Sequence, residues 1–282
     1  MTGASGFLGG EVLLEAARRG LSVVAVSRRR HLVPSGVALK VVESYIDTPA
    51  GDFIVHLAES HDANVRVASK DSSDMKPEDT IDILNRRALN GVCYASSTLV
   101  YGTSSPEVSS EESQTFGSSP YTSKKLENEK LVLDAGGTVF RVSNLLGAGM
   151  SAKTVVKEIL IQLWNDGPIE VRDIYPIRDF LWVSDAARAV CDVIQSGQNG
   201  IFNVCSGQAV SIQQLIKRCL YLSGRADKSF VSLNKRASRV DCNRSSNEKI
   251  WKECGWQPNT TLNSGLLNLI EIDGFRRSDD EC

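Results

Sequence analysis

Tyr121 stands four residues before Lys125 in the stretch Pro120-Tyr121-Thr122-Ser123-Lys124-Lys125-Leu126. The run continues through Leu131, Val132 and Leu133, which reads as one helix starting near Pro120, and residues at i and i+4 of a helix share a face. A phenol with its ordinary pKa near ~10 is a poor base at neutral pH. An ammonium beside it favours the phenolate and moves it toward the range useful for general acid–base catalysis. Ser97, at the tip of the apolar stretch Val92-to-Ser96, can donate a hydrogen bond to the same substrate oxygen. Tyrosine and lysine at this spacing also occur on helices that do no chemistry, so the pair takes its weight from what precedes it.

What precedes it is Thr2-Gly3-Ala4-Ser5-Gly6-Phe7-Leu8-Gly9, with glycines three apart, leading into Val12, Leu13, Leu14, Ala16, Ala17 and a closing Gly20. This spacing predicts an amphipathic helix of about three turns behind a glycine turn. There the backbone can approach a pyrophosphate, whose charge the free N–H groups and the helix dipole would bind. Gly3, Gly6, Phe7, Leu8 and Gly9 are the candidate contacts. The spacing is G-x-x-G-x-x-G, not G-x-G-x-x-G, and such turns also serve packing alone. A dinucleotide turn followed by a Tyr–Lys pair describes redox chemistry on a hydroxyl or ketone.

Ser22-Val23-Val24-Ala25-Val26 is a β-branched run suited to a buried parallel strand, and it ends in Ser27-Arg28-Arg29-Arg30. An NAD-binding chain usually carries an acid there for the ribose hydroxyl. Ser27 and Arg28 would instead meet a 2′-phosphate through charge-assisted bonds, which favours NADP over NAD; the other reading is a solvated basic turn. Only Met1 precedes Thr2, whereas a central strand normally leads into such a turn, so a truncated first strand is expected.

A chain of 282 residues with 41% hydrophobic residues and a net charge of −2 fits a soluble globular protein of one large or two joined domains. There is no apolar run of membrane-spanning length and no signal-peptide pattern. Seven scattered cysteines without C-x-x-C, and three histidines without metal spacing, imply free thiols in a reducing cytoplasm and no metal site. The near-neutral balance argues against nucleic-acid binding. Phe53-to-Leu57, Val92-to-Ala95 and Thr138-to-Val142 read as strands alternating with helices, a doubly wound α/β pattern over 1–145. Thr103 to Pro120 reads as a surface loop. Residues 146–282 read as a smaller substrate-binding lobe, with about 178–206 returning to the first sheet as a helix (Phe180 to Ile194) and a strand (Gly200 to Ser206).

The motifs continue in order with Val55-His56-Leu57-Ala58, Ser96-Ser97-Thr98-Leu99-Val100-Tyr101-Gly102, Arg141-Val142-Ser143-Asn144, Arg178-Asp179-Phe180-Leu181-Trp182-Val183-Ser184-Asp185, Asn203-Val204-Cys205-Ser206-Gly207 and Gly255-Trp256-Gln257-Pro258. Taken together the chain resembles, over nearly its whole length, the extended short-chain dehydrogenases/reductases of the NAD(P)-dependent nucleotide-sugar epimerase/dehydratase group. The resemblance implies that Tyr121 is the general acid/base and Ser97 its hydrogen-bonding partner, with Lys125 also on the nicotinamide ribose. It places Leu57 and Ala58 on the cofactor, and Asn144, Arg178 and Arg236 on the diphosphate of a nucleotide-linked sugar. Arg178 also has a structural reading, as an ion-pair partner of Asp179 or Asp185. Family members are often dimers through the helix carrying the tyrosine, which implies a homodimer by analogy.

Two departures narrow the reading. Dehydratases of the group carry Asp-Glu after the catalytic Ser/Thr, and Thr98-Leu99 stand here, which argues against dehydration. The Glu43-to-Asp52 segment lacks the usual Gly-Asp, and the asparagine usual on the next helix is replaced near Lys76. What remains is an epimerase or a 4-ketoreductase; the rival from another class is a non-catalytic NADP-binding sensor or scaffold.

Overall fold

The computed structural model describes residues 1–58, 77–234 and 240–280. Helix α1 (Phe7–Arg18) turns Val12, Leu13 and Ala16 inward and ends before Gly20, whose φ of +68° suits glycine. Strands β1 (Val24–Ser27), β2 (Ala38–Val41) and β3 (Ile54–His56) follow, then α2 (Pro77–Arg87), β4 (Val92–Ser97), α3 (Pro120–Asp134) and β5 (Thr138–Val142). Every residue of β3 and β5 is buried, as continuous apolar runs covered on both faces should be.

The parallel order β3-β4-β5 is completed by β9 (Gly200–Val204), while β1 pairs with β2. Between β1 and β3 lie Met1 and Thr2. The Val26 N–H donates to the Met1 carbonyl at 2.7 Å, the Thr2 N–H to the Val55 carbonyl at 2.9 Å, and Thr2 bridges both Val26 and His56 in parallel. These two residues therefore join the strand pairs into one sheet at the end where the glycine turn begins. Helix α1 and α5 (Val183–Ser196) cover one face through Val12, Ala16, Ala186, Ala187 and Val190. Helices α2 and α3 cover the other through Ile81, Leu84 and Val132. The sheet is thus wound on both sides.

The remaining elements build a smaller body around Ile159, Leu160, Leu163, Leu215 and Ile216. It contains β6 (Asn144–Leu146), α4 (Val155–Leu163), β7 (Ile169–Val171), β8 (Ile177–Trp182), β10 (Ala209–Ser211), α6 (Ile212–Leu222), β11 (Phe230–Ser232), β12 (Cys242–Asn243) and α8 (Leu262–Asp280), while α7 (Glu248–Cys254) packs Ile250 back into the core beneath α5. Strand β8 is flanked by β6, β10 and β12.

Two expectations change here. The helix read from Phe180 begins only at Val183, because Phe180 and Leu181 are buried in β8 between its partner strands. Residues 177–182 thus belong to the smaller sheet, and the return to the large one is made by α5 and β9. The Thr103-to-Pro120 loop is not all surface, since Glu111 is buried and accepts from the Asn203 N–H at 2.8 Å.

Candidate active site

A cleft of about 620 Å³ opens over the carboxyl ends of the parallel strands, where open α/β sheets bind ligands. Its floor is the glycine turn, with Gly3, Gly6, Phe7, Leu8 and Gly9 among the lining residues. Gly3 has φ +70°, and a Cβ on it would stand 2.6 Å from the Leu57 carbonyl carbon. A Cβ on Gly9 would fall 2.0 Å from the Gly3 oxygen. Glycine is therefore required for the turn to fold against β3 and α1 at once. The first backbone bond closing α1 is Gly10 N–H to Gly6 O at 2.9 Å, and Gly6 offers no side-chain cap. The first-turn residues Phe7, Leu8 and Gly9, whose N–H groups precede that first bonded donor, line the cleft, as an anion site requires. Leu57 lines the cleft and Ala58 follows it at the end of the described segment.

The opposite wall is α3. Ser119 caps it, accepting from the Thr122 N–H at 3.2 Å while its own N–H donates to the Thr122 hydroxyl at 3.0 Å, and Pro120 fills the first helical position. This capping box fixes where Tyr121 leaves the helix, and both Tyr121 and Lys125 line the cleft. The Lys125 ammonium lies 5.7 Å from the Tyr121 ring centroid, donates to the Ala95 carbonyl at 2.6 Å and sits 4.8 Å from the Tyr94 ring centroid.

Ser97 is buried at the tip of β4, where its hydroxyl oxygen accepts from the Leu99 N–H at 3.2 Å and caps the 3₁₀ turn Thr98–Tyr101. Its neighbour Ser96, which the sequence reading did not single out, is the one of the two that lines the cleft. The Ser96 hydroxyl donates to Glu129, which forms a buried ion pair with Arg141 at 2.7 Å. From Arg141 the network passes to the Tyr101 hydroxyl at 2.9 Å and on to Asn203 at 2.7 Å. Burial pushes the Tyr101 phenol up to about 12 and raises the Glu111 carboxyl above its ordinary range. The signal for Glu129 was available in the four-residue step Tyr121, Lys125, Glu129, which puts all three on one helix face.

Of the cofactor candidates on β1, Ser27 is buried within 3.5 Å of the Ser5 hydroxyl, and the Arg28 guanidinium lies 5.5 Å from the Tyr45 ring centroid. Neither is among the residues lining the cleft itself. On the substrate side Asn144 lines the cleft and donates to the Asp179 carbonyl at 2.9 Å. Arg178 pairs with Asp241 at 2.7 Å, not with Asp179 or Asp185. Asp179 instead accepts from Ser206 and Gln208, its carboxyl pushed up by burial, and Asp185 accepts from Arg188 and the Asn259 and Thr260 N–H groups. Phe180, two residues on from Arg178 along β8 and on the same strand face, lines the cleft, whereas Arg178 is not among its lining residues. Arg236 and the position near Lys76 lie outside the described residues. The cleft is also lined by Ser143, from the Arg141-to-Asn144 motif, and by Ser151, Lys153 and Thr154, which carried no motif. Among the described residues no cluster of three or more His, Cys, Asp or Glu is arranged to hold a metal ion.

The model of the NAD dependent epimerase/dehydratase family matches residues 1–205. The GDP-6-deoxy-D-mannose reductase of Pseudomonas aeruginosa is 28% identical over 297 residues, spanning 96% of this chain and 95% of that protein. The UDP-glucose 4-epimerase of Corynebacterium glutamicum is 21% identical over 309 residues, spanning 96% and 93%. Among solved structures, MoeE5 in complex with UDP-glucuronic acid and NAD superposes with a TM-score of 0.79 at 24% identity, over 98% of both chains. The UDP-glucose 4-epimerase of Thermus thermophilus in complex with NAD gives 0.80 at 20% identity, over 97% of both.

Proposed function

The chain belongs to the NAD dependent epimerase/dehydratase family, and we propose that it acts on a nucleotide-linked sugar as an NADP-dependent 4-ketoreductase, with Tyr121 as general acid/base. The observation that carries this reading is the Tyr121–Lys125 pair in one cleft with the glycine turn of α1. The cleft suits a dinucleotide: the turn brings backbone to its floor, and the free first-turn N–H groups of α1 would bind a pyrophosphate there. Gly3, Gly6, Phe7, Leu8, Gly9 and Leu57 would hold it, with Ala58 beside them, and Lys125 would reach the nicotinamide ribose. A bound nicotinamide supplies the hydride, which no side chain of this fold can give.

The protein's own part is proton handling. Tyr121 would donate its phenolic proton to the sugar oxygen as the ketone becomes an alcohol. Lys125, its ammonium already anchored on Ala95, would stabilise the phenolate left behind. Ser97 would donate to the same oxygen with the hydroxyl proton that its cap to Leu99 leaves unused. Asn144 in the cleft, and Arg178 two residues before the cleft-lining Phe180, would meet the sugar nucleotide, the guanidinium suiting a diphosphate. Preference for NADP is supported by Arg28, which the Tyr45 ring holds at the end of β1 where an acid would serve NAD. The Pseudomonas reductase supports reduction, and the UDP-glucose 4-epimerase relatives support the second reading, epimerisation by the same proton transfer.

The test mixes the protein with NADPH and a panel of nucleotide-linked 4-keto-6-deoxy sugars and follows the reduced-nicotinamide absorbance. Stoichiometric loss with one sugar, abolished in Tyr121→Phe, is the expected result. Epimerisation of an intact nucleotide sugar without cofactor loss would move the assignment to an epimerase. Unchanged turnover in Tyr121→Phe would refute the catalytic role.

A further inference from the structure

Tyr94 is wholly buried in the middle of β4, an unusual place for a phenol. Its hydroxyl accepts from the Asn128 side-chain amide at 3.1 Å, which fixes the ring's tilt from α3. The His56 ring stacks on it, 6.2 Å between centroids and 15° between planes, and His56 is itself held by the Thr2 hydroxyl at 2.8 Å. Thr2 opens the glycine turn, so the ring is braced between the cofactor floor and the catalytic helix. Over this ring, 4.8 Å from its centroid, lies the Lys125 ammonium.

Lys125 is only 5% exposed, and burial disfavours a charged amine unless something replaces its lost hydration. The Ala95 carbonyl supplies one contact and the negative face of the Tyr94 ring supplies another. The two approach from the same strand, so they also fix where the ammonium stands relative to Tyr121. We propose that Tyr94 is a positioning residue for the active-site lysine: its ring face holds the Lys125 ammonium charged and beneath Tyr121, with Asn128 and His56 locking the ring. This rests on the proposed acid/base role of Tyr121. Among the described residues, the ionisable groups facing the ammonium include Tyr121 and Glu129 on α3, the latter paired with Arg141 of β5. Tyr94 presents from β4, His56 stands behind it on β3, and Lys153 lines the cleft before α4.

Tyr94→Phe and Tyr94→Leu both remove the hydroxyl that Asn128 uses, so their difference isolates the ring face. In NMR spectra of lysine-labelled protein, assigned with Lys125→Arg, the Lys125 ε-methylene signal should be ring-current shifted upfield in the wild type and in Tyr94→Phe. The rate of the reductase or epimerase reaction should keep the wild-type pH midpoint in Tyr94→Phe. In Tyr94→Leu it should rise by about one pH unit, and the alkaline fall-off of reduction, which uses the Tyr121 phenol as its acid, should move up with it. An unshifted Lys125 signal in the wild type would overturn the proposal even if Tyr94→Leu does not fold. A midpoint shared by all three proteins would overturn it as well. Unchanged turnover in Tyr121→Phe, with the upfield Lys125 signal intact, would sink the acid/base reading and leave the lysine's seat on Tyr94 standing.

Discussion

Glu129 and Arg141 carry opposite charges into a region with almost no water: their side chains are 4% and 5% exposed. Glu129 receives the Arg141 Nη2 at 2.7 Å, the Nε at 3.2 Å to each carboxylate oxygen, and the Ser96 hydroxyl. Glu129→Gln keeps the shape but removes the charge and turns an amide NH₂ toward donors that have no use for it. Each charge-assisted bond is worth about 1.5–3 kcal/mol in isolation, but the four share one carboxylate and do not add. The governing quantity is the desolvated guanidinium left uncompensated, which costs about 3–5 kcal/mol when one partner of a buried pair is removed. The Tyr101 hydroxyl and Glu111 carbonyl still solvate Arg141, which places the loss nearer the lower figure. Against a total stability of about 5–15 kcal/mol this is readily measured by urea unfolding. Arg141→Met should cost a comparable amount, and the double variant should lose at least about 2 kcal/mol less than the sum of the single losses. Additivity within about 0.5 kcal/mol, or a Glu129→Gln loss below about 1 kcal/mol, would refute the claim that this pair anchors α3 to β4 and β5.

Gly3→Ala should destabilise the fold by more than about 2 kcal/mol in the same urea assay, since its φ of +70° and a Cβ 2.6 Å from backbone leave no relaxed alternative; it should also abolish retention of NADPH in equilibrium dialysis. Glu111, its carboxyl raised by burial, favours the fold in its protonated form, a contribution present below the ordinary carboxylate range and lost as pH rises through the raised value. Glu111→Gln keeps the acceptor for the Asn203 N–H and should therefore raise the melting temperature at neutral pH relative to wild type, the difference vanishing in acid. Glu15 shows the opposite sign: Arg18, then Arg19, hold its carboxyl down at about 2, so its contribution is present above the ordinary carboxylate value and lost as pH falls through about 2. Glu15→Gln should flatten the acid limb of the melting-temperature profile between about pH 4.5 and 2.

The legible parts of this chain were those set by local rules. Glycine at 3 and 9 is forced by backbone contacts that no side chain tolerates, and β-branched runs at 54–56 and 138–142 are buried on both faces, so each declared itself in the residue types alone. The i,i+4 step placed Tyr121 and Lys125 together because helix geometry leaves no other outcome. What stayed hidden depends on pairing between distant segments. Phe180 to Trp182 is strand because β6 pairs with it while β10 and β12 hold the residues just before it, and nothing within those three residues distinguishes that from the first turn of the helix that follows. Arg178 meets Asp241, 63 residues away, where the sequence offered only the nearby acids as partners.

Ser96 and Ser97 sharpen the same point. Alternation along β4 sends adjacent side chains to opposite faces, so only one of the two can follow the direction of Tyr94 into the seat of Lys125. Ser96 does so, yet its hydroxyl is spent on Glu129, whereas Ser97 keeps a donatable proton at the strand's tip. On the proposed mechanism the two serines would divide the work: Ser96 ties the strand to α3, and Ser97 would be left for the substrate. Replacing each in turn separates these roles, since Ser96→Ala should lower stability with the remaining activity unchanged per folded molecule, as read by urea unfolding beside turnover. Ser97→Ala should lower kcat in a protein that unfolds within about 1 kcal/mol of wild type. The reverse pattern would assign the substrate contact to Ser96.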